Sequence, residues 1–330
     1  MRAARLVEPG RLEVTDEPTP ALAEGEVLVR SRRASICGSD LHLVFDGFYG
    51  GPFPAPAGFP GHEGVGRVEE SGVADLAPGT WVLAVPNPPS ARCYAELHAV
   101  PRGSLLPLPE GGDPDRLLLA QQLGTVVYAL KRHWPFDRAA TEGKTVAVCG
   151  TGSAGLFFVQ LARRAGFAQV IVADRAAHRL TIAERFGADV AVEAPGGSFV
   201  EAVLDHTGGL GADLVVEAVG FDETRVQCLE AVRKNGRVGY FGFPEAPSGT
   251  APWSYPEAWR KTPSIEVTNG TQLEPGLASF KEAIDLIHSG AVDVDPFLEP
   301  VYPLEDIQRA FEAAYAHEGG KIAVDLTAPS

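Results

Sequence analysis

Apolar and polar residues alternate along several short segments of the first 110 residues, and glycine or proline separates these segments from one another. The alternation is clearest in residues 11–15, 26–31 and 64–70. A period of two is typical of strands that bury one face. The pattern therefore predicts that the N-terminal third of the chain is rich in β-structure.

From about Leu123 onward, short apolar runs alternate with segments of helical periodicity. The strand-like runs are residues 145–149, 169–173, 189–192, 212–218 and 236–243, and the helical segments are residues 126–132, 156–165 and 179–186. Strands that alternate with helices favour a parallel sheet covered by helices on both faces. Near the C-terminus, residues 280–288 predict an amphipathic helix and residues 321–326 a closing strand.

Composition narrows the classes of function. A chain of 330 residues is long enough for two hydrophobic cores. A net charge of −15 argues against a nucleic-acid partner, because neutralising phosphates requires clustered Lys and Arg. No apolar stretch reaches the length of a membrane span, no signal peptide is evident, and the four cysteines lack the spacing of a disulfide framework. We therefore expect a soluble, acidic, cytoplasmic protein with no nucleic-acid or membrane partner.

A glycine-rich block follows the strand-like run that ends at Cys149. Gly150, Gly152 and Gly155 form the pattern G-x-G-x-x-G directly before a helical segment. In a dinucleotide site, the first glycine permits a tight turn, the second admits the pyrophosphate, and the third lets the helix pack against the strand. The alternative is a strand–helix turn that binds no ligand.

An acidic residue stands at the distance from these glycines that a ribose-binding carboxylate requires. Asp174 ends the apolar run that follows the helical segment, and its carboxylate would bind ribose hydroxyls and repel a 2′-phosphate. This favours NAD over NADP. The adjacent guanidinium of Arg175 would partly accommodate that phosphate, so NADP remains the less favoured alternative.

Cysteine, histidine and acidic residues occur in two short motifs flanked by glycine. Cys37 and His62 offer a thiolate and an imidazole, a pair of ligands that suits zinc. Asp40 is placed to accept a hydrogen bond from the second ring nitrogen of His62. Glu63 is either a ligand itself or a carboxylate directly behind the metal. The alternative is a buried free cysteine and a histidine that only hydrogen-bonds.

Together these motifs resemble the zinc-dependent medium-chain alcohol and polyol dehydrogenases, and the resemblance extends over nearly the whole chain. It is carried by residues 37–42, residues 61–66, the glycine-rich block and the segment from Lys321. The family implies an α/β fold in which a GroES-like, β-rich catalytic domain accompanies a Rossmann domain with a doubly wound parallel sheet. We expect the catalytic domain at residues 1–123 and 267–330, and the NAD-binding domain at residues 124–266.

The resemblance also implies roles for individual residues. Cys37 and His62 match the first two zinc ligands, and Glu63 matches the acid next to the metal. Ser39 matches the hydroxyl that takes the proton of the alcohol, and His42 the histidine that passes it to solvent. Asp174 matches the ribose-binding acid, and Arg179 matches a basic residue near the adenosine end of the cofactor.

Two departures from the family pattern change this expectation. Residues 87–93 contain one cysteine where relatives often carry four closely spaced cysteines, so we expect one catalytic zinc ion and no structural zinc. The third zinc ligand of the family is usually Glu or Cys, but Gln121 stands at that position. An amide oxygen is a weaker zinc ligand, which leaves Gln121 or Glu63 as the third ligand.

The leading hypothesis is reversible oxidation of a secondary alcohol (a polyol, a cyclitol or a cyclic alcohol) to a ketone with NAD. A zinc-free, NADPH-dependent reductase of activated C=C bonds is an alternative, motivated by Arg175 and Gln121. A non-catalytic nucleotide-binding protein is another. The resemblance further implies a homodimer or homotetramer.

Overall fold

The computed structural model describes residues 1–137, 139–194 and 198–327. The strands are β1 Arg2–Glu8, β2 Arg11–Asp16, β3 Glu26–Ser35, β4 Gly64–Ser71, β5 Trp81–Ala84, β6 Leu97–Pro101, β7 Leu105–Pro107, β8 Thr145–Cys149, β9 Gln169–Asp174, β10 Val190–Glu193, β11 Ala212–Glu217, β12 Val232–Tyr240, β13 Ser264–Val267, β14 Val301–Pro303 and β15 Ala323–Asp325. The α-helices are α1 Gly38–Phe45, α2 Pro114–Leu117, α3 Ala120–His133, α4 Ser153–Arg164, α5 Ala177–Arg185, α6 Ser198–His206, α7 Asp222–Ala231, α8 Tyr255–Lys261, α9 Ala278–His288 and α10 Ile307–Tyr315.

The chain divides into two compact units, and the first combines Met1–Gly124 with Thr271–Ser330. Its main sheet has the order β14-β15-β3-β4-β5-β7, with β6 also paired to β3, and β1 and β2 form a separate hairpin. The strands bury alternate apolar residues, such as Val27 and Val29 of β3, in a core that also receives Phe311 of α10. This is the expected GroES-like, β-rich domain, and its sheet contains strands from both ends of the chain.

The second unit is the continuous segment Thr125–Gly270. Its six strands are all parallel, in the order β10-β9-β8-β11-β12-β13. The central strand β11 is buried along its whole length, as expected of a strand covered on both faces. Strand order runs outward from β8 in both directions, so the unit is the expected doubly wound Rossmann domain.

Helix α3 and strand β12 are among the elements that extend beyond the residues that the pattern indicates. Helix α3 begins at Ala120 rather than near residue 126, because its first turn is buried and carries polar side chains that hide its periodicity. Strand β12 begins at Val232, where charged residues interrupt the apolar pattern.

In the part of the chain that the structure describes, no helix combines the length and the apolar character needed to cross a membrane.

Candidate metal centre and nucleotide loop

The motif that contains Cys37 folds as the start of helix α1. Cys37 is the N-cap residue, and its main-chain N–H donates to Asp40 Oδ2 at 3.0 Å. The preceding strand β3 ends at Ser35, so strand and helix meet at the cysteine. A carboxylate at the third helical position satisfies a main-chain donor at the helix start and fixes the backbone that carries Cys37.

Asp40 is fully buried and connects three parts of the first unit. Its Oδ1 lies 3.0 Å from His62 Nδ1, and its Oδ2 accepts a hydrogen bond from the hydroxyl of Tyr94 at 2.7 Å. A carboxylate beside Nδ1 places the proton on that nitrogen and leaves the lone pair of Nε2 available to bind a metal. The expected support of His62 by Asp40 is therefore present in the structure.

His62 has a strongly perturbed pKa. Burial by itself lowers this pKa, but the negative charges of Asp40 and Cys37 outweigh burial and raise it well above the ordinary value. The site therefore attracts a cation to the ring, whether a proton or a metal ion.

Glu63 is buried against a lysine from the far end of the sequence. The side chains of Glu63 and Lys321 are 1% and 4% exposed, and Lys321 Nζ lies 2.8 Å from Glu63 Oε2. Ser35 Oγ donates to the same oxygen. Burial raises the pKa of Glu63, but Lys321 and His62 reverse that effect and lower it. Burial likewise lowers the pKa of Lys321, which Glu63 and Cys37 raise. Both groups are charged at neutral pH.

The residues present fit a zinc ion. Cys37, His62 and Glu63 each offer a ligand atom, and these three atoms lie within 4.8 Å of one another. Glu63 Oε1 and Gln121 Oε1 are buried and accept no hydrogen bond from the described residues. Buried oxygens without donors are costly unless a cation or a water contacts them. The thiol, the imidazole and the Glu63 carboxylate form a donor set that suits zinc.

Helix α1 also carries the two predicted proton-transfer residues. Ser39 and His42 are half-buried and three positions apart, a spacing that places two side chains on the same side of a helix. His42 Nδ1 lies 2.7 Å from Asp46 Oδ2.

The cysteines other than Cys37 (93, 149 and 228) are buried, and all four cysteines are free thiols.

The glycine-rich block forms the expected turn between β8 and α4 in the second unit. Gly150 has a φ of +93°, which disfavours any side chain. A Cβ on Gly155 would lie 2.0 Å from Gly150 O, so close packing of helix and turn excludes one. Gly152 is the N-cap of α4, and a Cβ there would meet nothing within 4 Å. The helix start is therefore open to an anion.

Asp174 holds this turn from the end of strand β9. Its Oδ2 accepts hydrogen bonds from the main-chain N–H of Thr151 at 2.6 Å and from the Thr151 hydroxyl at 2.9 Å. Its Oδ1 accepts from the N–H of Ala176 at 2.9 Å. The guanidinium of Arg175 lies over the ring of Phe221, 5.9 Å from its centroid, and Arg179 is half-buried on α5.

Several residues that build these sites escaped the sequence analysis. Lys321 begins the terminal segment that carries the family resemblance, but nothing in that segment alone indicates that its side chain is buried beside Glu63. Asp46 lies four residues after His42, a spacing that could have indicated the contact on a predicted helix, whereas Tyr94 reaches Asp40 only through tertiary packing.

Comparisons with known proteins agree with this architecture. Residues 23–110 match the model of the alcohol dehydrogenase GroES-like domain, and residues 154–289 match that of the zinc-binding dehydrogenases. A probable zinc-binding alcohol dehydrogenase of Mycobacterium tuberculosis is 31% identical over 98% of this chain and 87% of its own length. An L-threonine 3-dehydrogenase of Bacillus subtilis is 28% identical over 94% of this chain and 93% of its own.

Among solved structures, a putative zinc-binding dehydrogenase of Sinorhizobium meliloti bound to NADP superposes with a TM-score of 0.81. It is 25% identical, and the match covers 98% of each chain.

Proposed function

The chain belongs to the zinc-dependent medium-chain dehydrogenase/reductase family, and we propose that it interconverts a secondary alcohol and a ketone with NAD. The observation that carries this proposal is the cluster of the half-buried Cys37 and His62 with the buried Glu63, beside Asp40 and at the start of the helix that presents Ser39 and His42. A relative named for the 3-position of L-threonine, a secondary alcohol, supports the substrate class.

The proposed metal ligands are Cys37 and His62 with either Glu63 or Gln121. When bound, zinc supplies Lewis acidity toward the oxygen of the substrate, and the nicotinamide accepts the hydride. Lys321 and Ser35 hold one oxygen of Glu63, which leaves the other oxygen free to approach a cation. Either Glu63 or Gln121 is the third ligand in this proposal, which includes one zinc ion per chain and no structural zinc.

The proposed proton path uses the two side chains of α1. Ser39 takes the hydroxyl proton of the alcohol, and His42 accepts it and passes it toward solvent. His42 suits this role because its side chain is 27% exposed and therefore reaches water.

The proposed nucleotide site consists of the loop Gly150, Gly152 and Gly155 with Asp174, and Arg175 and Arg179 contribute at the adenosine end. The Asp174 carboxylate is held by three donors, so its negative charge stays at the ribose position and disfavours a 2′-phosphate. Contact of Arg175 with Phe221 draws that guanidinium to one side. Both observations support NAD, and NADP is the alternative; titration of the protein with each nucleotide compares the two affinities.

We further propose a homodimer or homotetramer in the cytoplasm, with residues 1–123 and 267–330 forming the catalytic domain. The edge strand β13 supports self-association, because Val267 is 68% exposed and Ile265 37% exposed beside unpaired main-chain groups. The free cysteines support a reducing compartment.

Metal analysis of the purified protein tests the proposal first. We expect about one zinc per chain in the wild type and almost none in Cys37→Ala, since a site that loses its thiolate binds zinc far more weakly. Cys93→Ala is the matched control, because Cys93 is a buried cysteine of the same unit outside the cluster, and it should keep the metal. Activity with NAD and a panel of secondary alcohols, L-threonine included, should follow the zinc content.

Two results would contradict the proposal. The first is a wild-type protein that contains no zinc and reduces activated C=C bonds with NADPH. This result would indicate that the metal site was lost when glutamine came to occupy position 121. Tight NAD binding without turnover of any alcohol would indicate a non-catalytic nucleotide-binding protein.

A further inference from the structure

His42 has a carboxylate partner one helical turn away. Its Nδ1 lies 2.7 Å from Asp46 Oδ2, and the two side chains are 27% and 25% exposed. Asp46 is the C-cap residue of α1, and its main-chain N–H donates to the carbonyl oxygen of His42 at 3.1 Å. Main chain and side chain of Asp46 therefore both contact His42, which restricts the geometry of the pair.

The second oxygen of Asp46 is bound by a residue from a distant helix. Tyr315, the last residue of α10, donates its hydroxyl to Asp46 Oδ1 at 2.7 Å. The Tyr315 ring packs on Phe45 with centroids 4.7 Å apart. The hydrogen bond to Asp46 raises the pKa of the Tyr315 phenol, which therefore remains a donor at neutral pH.

This arrangement determines which ring nitrogen of His42 accepts a proton. A carboxylate can only accept hydrogen bonds, so the nitrogen beside it carries hydrogen and the other nitrogen keeps its lone pair. When Nε2 takes a proton, the positive charge that forms is adjacent to Asp46. The ring of Phe48, with its centroid 5.3 Å from that of His42, lies against the imidazole and limits its rotation.

We propose that Asp46, oriented by Tyr315, is a positioning residue that holds His42 as the Nδ1–H tautomer and makes Nε2 the proton-accepting atom of the relay. The inference rests on the proposed function, because it assigns a purpose to the proton transfer by His42. Asp46, at the end of α1, is the titratable group that lies against this imidazole in the described contacts, and Tyr315 of α10 acts on it through its hydrogen bond to Asp46.

Asp46→Asn in the zinc-loaded enzyme tests the proposal, since it removes the charge and keeps the shape. We expect kcat at pH 7 to fall about tenfold to a hundredfold, with KM for the alcohol changed less than about twofold. The pH profile of kcat should change in the variant, because the relay loses the carboxylate that fixes the tautomer and orientation of His42. Long-range ¹H–¹⁵N NMR should show Nδ1–H for His42 in the wild type and a mixture of tautomers in the variant.

Two further variants test whether the effect of Asp46→Asn is specific to the contact with His42. Tyr315→Phe keeps the ring on Phe45, removes only the hydroxyl, and should lower kcat by roughly twofold to fivefold in the same direction. It also provides the test if Asp46→Asn does not fold. Asp75→Asn removes a carboxylate of the same unit that pairs with Arg102 on the surface, and should leave kcat, its pH profile and the His42 signals unchanged.

The outcomes separate this inference from the proposed function. Unchanged kcat and pH profile in Asp46→Asn, or an Nε2–H tautomer in the wild type, would overturn the inference while leaving the dehydrogenase proposal intact. Absence of turnover with every alcohol by zinc-loaded wild type would overturn the proposed function and the relay role of the pair together.

Discussion

The metal centre and the nucleotide loop are assembled by opposite means. The metal centre gathers Ser35, Asp40, Glu63, Tyr94 and Lys321 from widely separated positions and holds them through buried charges and hydrogen bonds. The nucleotide loop comes from one strand–turn–helix unit whose shape depends on glycine, with one outside support, Asp174. We infer that a substitution that removes a buried charge disturbs the metal centre most. A substitution that removes a local hydrogen bond should instead disturb the nucleotide loop.

Lys321→Met should produce the largest change in stability. It leaves the Glu63 carboxylate buried without its counter-charge, and breaking a buried pair on one side costs about 3–5 kcal/mol. Denaturant unfolding measures this loss. The double variant Glu63→Gln with Lys321→Met should recover most of the lost free energy. Lys144→Met is the control, because the Lys144 side chain is 33% exposed in its pair with Asp213, and its loss should cost less than about 1 kcal/mol. Equal losses in both lysine variants would refute a special role for the buried pair.

Thr151→Val tests the nucleotide loop by removing one hydroxyl at nearly constant volume. Asp174 Oδ2 then loses one of two donors, and an interaction of about 1–2 kcal/mol corresponds to roughly tenfold weaker binding of NAD. Titration calorimetry checks the affinity, and the zinc content should not change. Parallel loss of zinc would mean that the two sites do not depend on separate supports.

The dependence of stability on pH should be a smaller effect. Burial lowers the pKa of His98 to about 4 in the first unit and that of His133 to about 3 in the second. Since both values lie below the unfolded value near 6.5, the unfolded chain takes up more protons, and stability falls as pH decreases below about 6.5. At pH 5.5 each histidine should cost about 1 kcal/mol relative to pH 7.5.

His133→Gln should make stability depend less on pH, because the glutamine amide does not titrate. The amide still offers an oxygen or a nitrogen to Thr268 Oγ1, which lies 2.7 Å from His133 Nε2 in the wild type. Thermal unfolding at the two pH values provides the comparison. The same slope in variant and wild type would show that other groups cause the acid sensitivity.

The same contrast explains how far the sequence could be interpreted. The parallel sheet and the glycine-rich loop were predictable because strand periodicity and turn chemistry are local. Cys37 and His62 were candidates because each lies in a recognisable motif. The support of Glu63 by Lys321 was not predictable, because β15 brings that lysine beside β3 only through pairing of Ala323 with Ser35. The burial of Gln121 was not predictable either, since the neighbouring sequence does not indicate that the polar first turn of α3 is buried.

The pairing of β15 with β3 has a consequence for biosynthesis. Residues 125–270 form one continuous unit, so the nucleotide domain can fold while the rest of the chain is still being synthesised. The first unit has to wait, because β15 and Lys321 leave the ribosome only after the whole second unit has emerged. Until then Glu63 has no lysine beside it, and the burial of its charge is opposed. The candidate metal centre is therefore completed late in the synthesis and folding of each molecule.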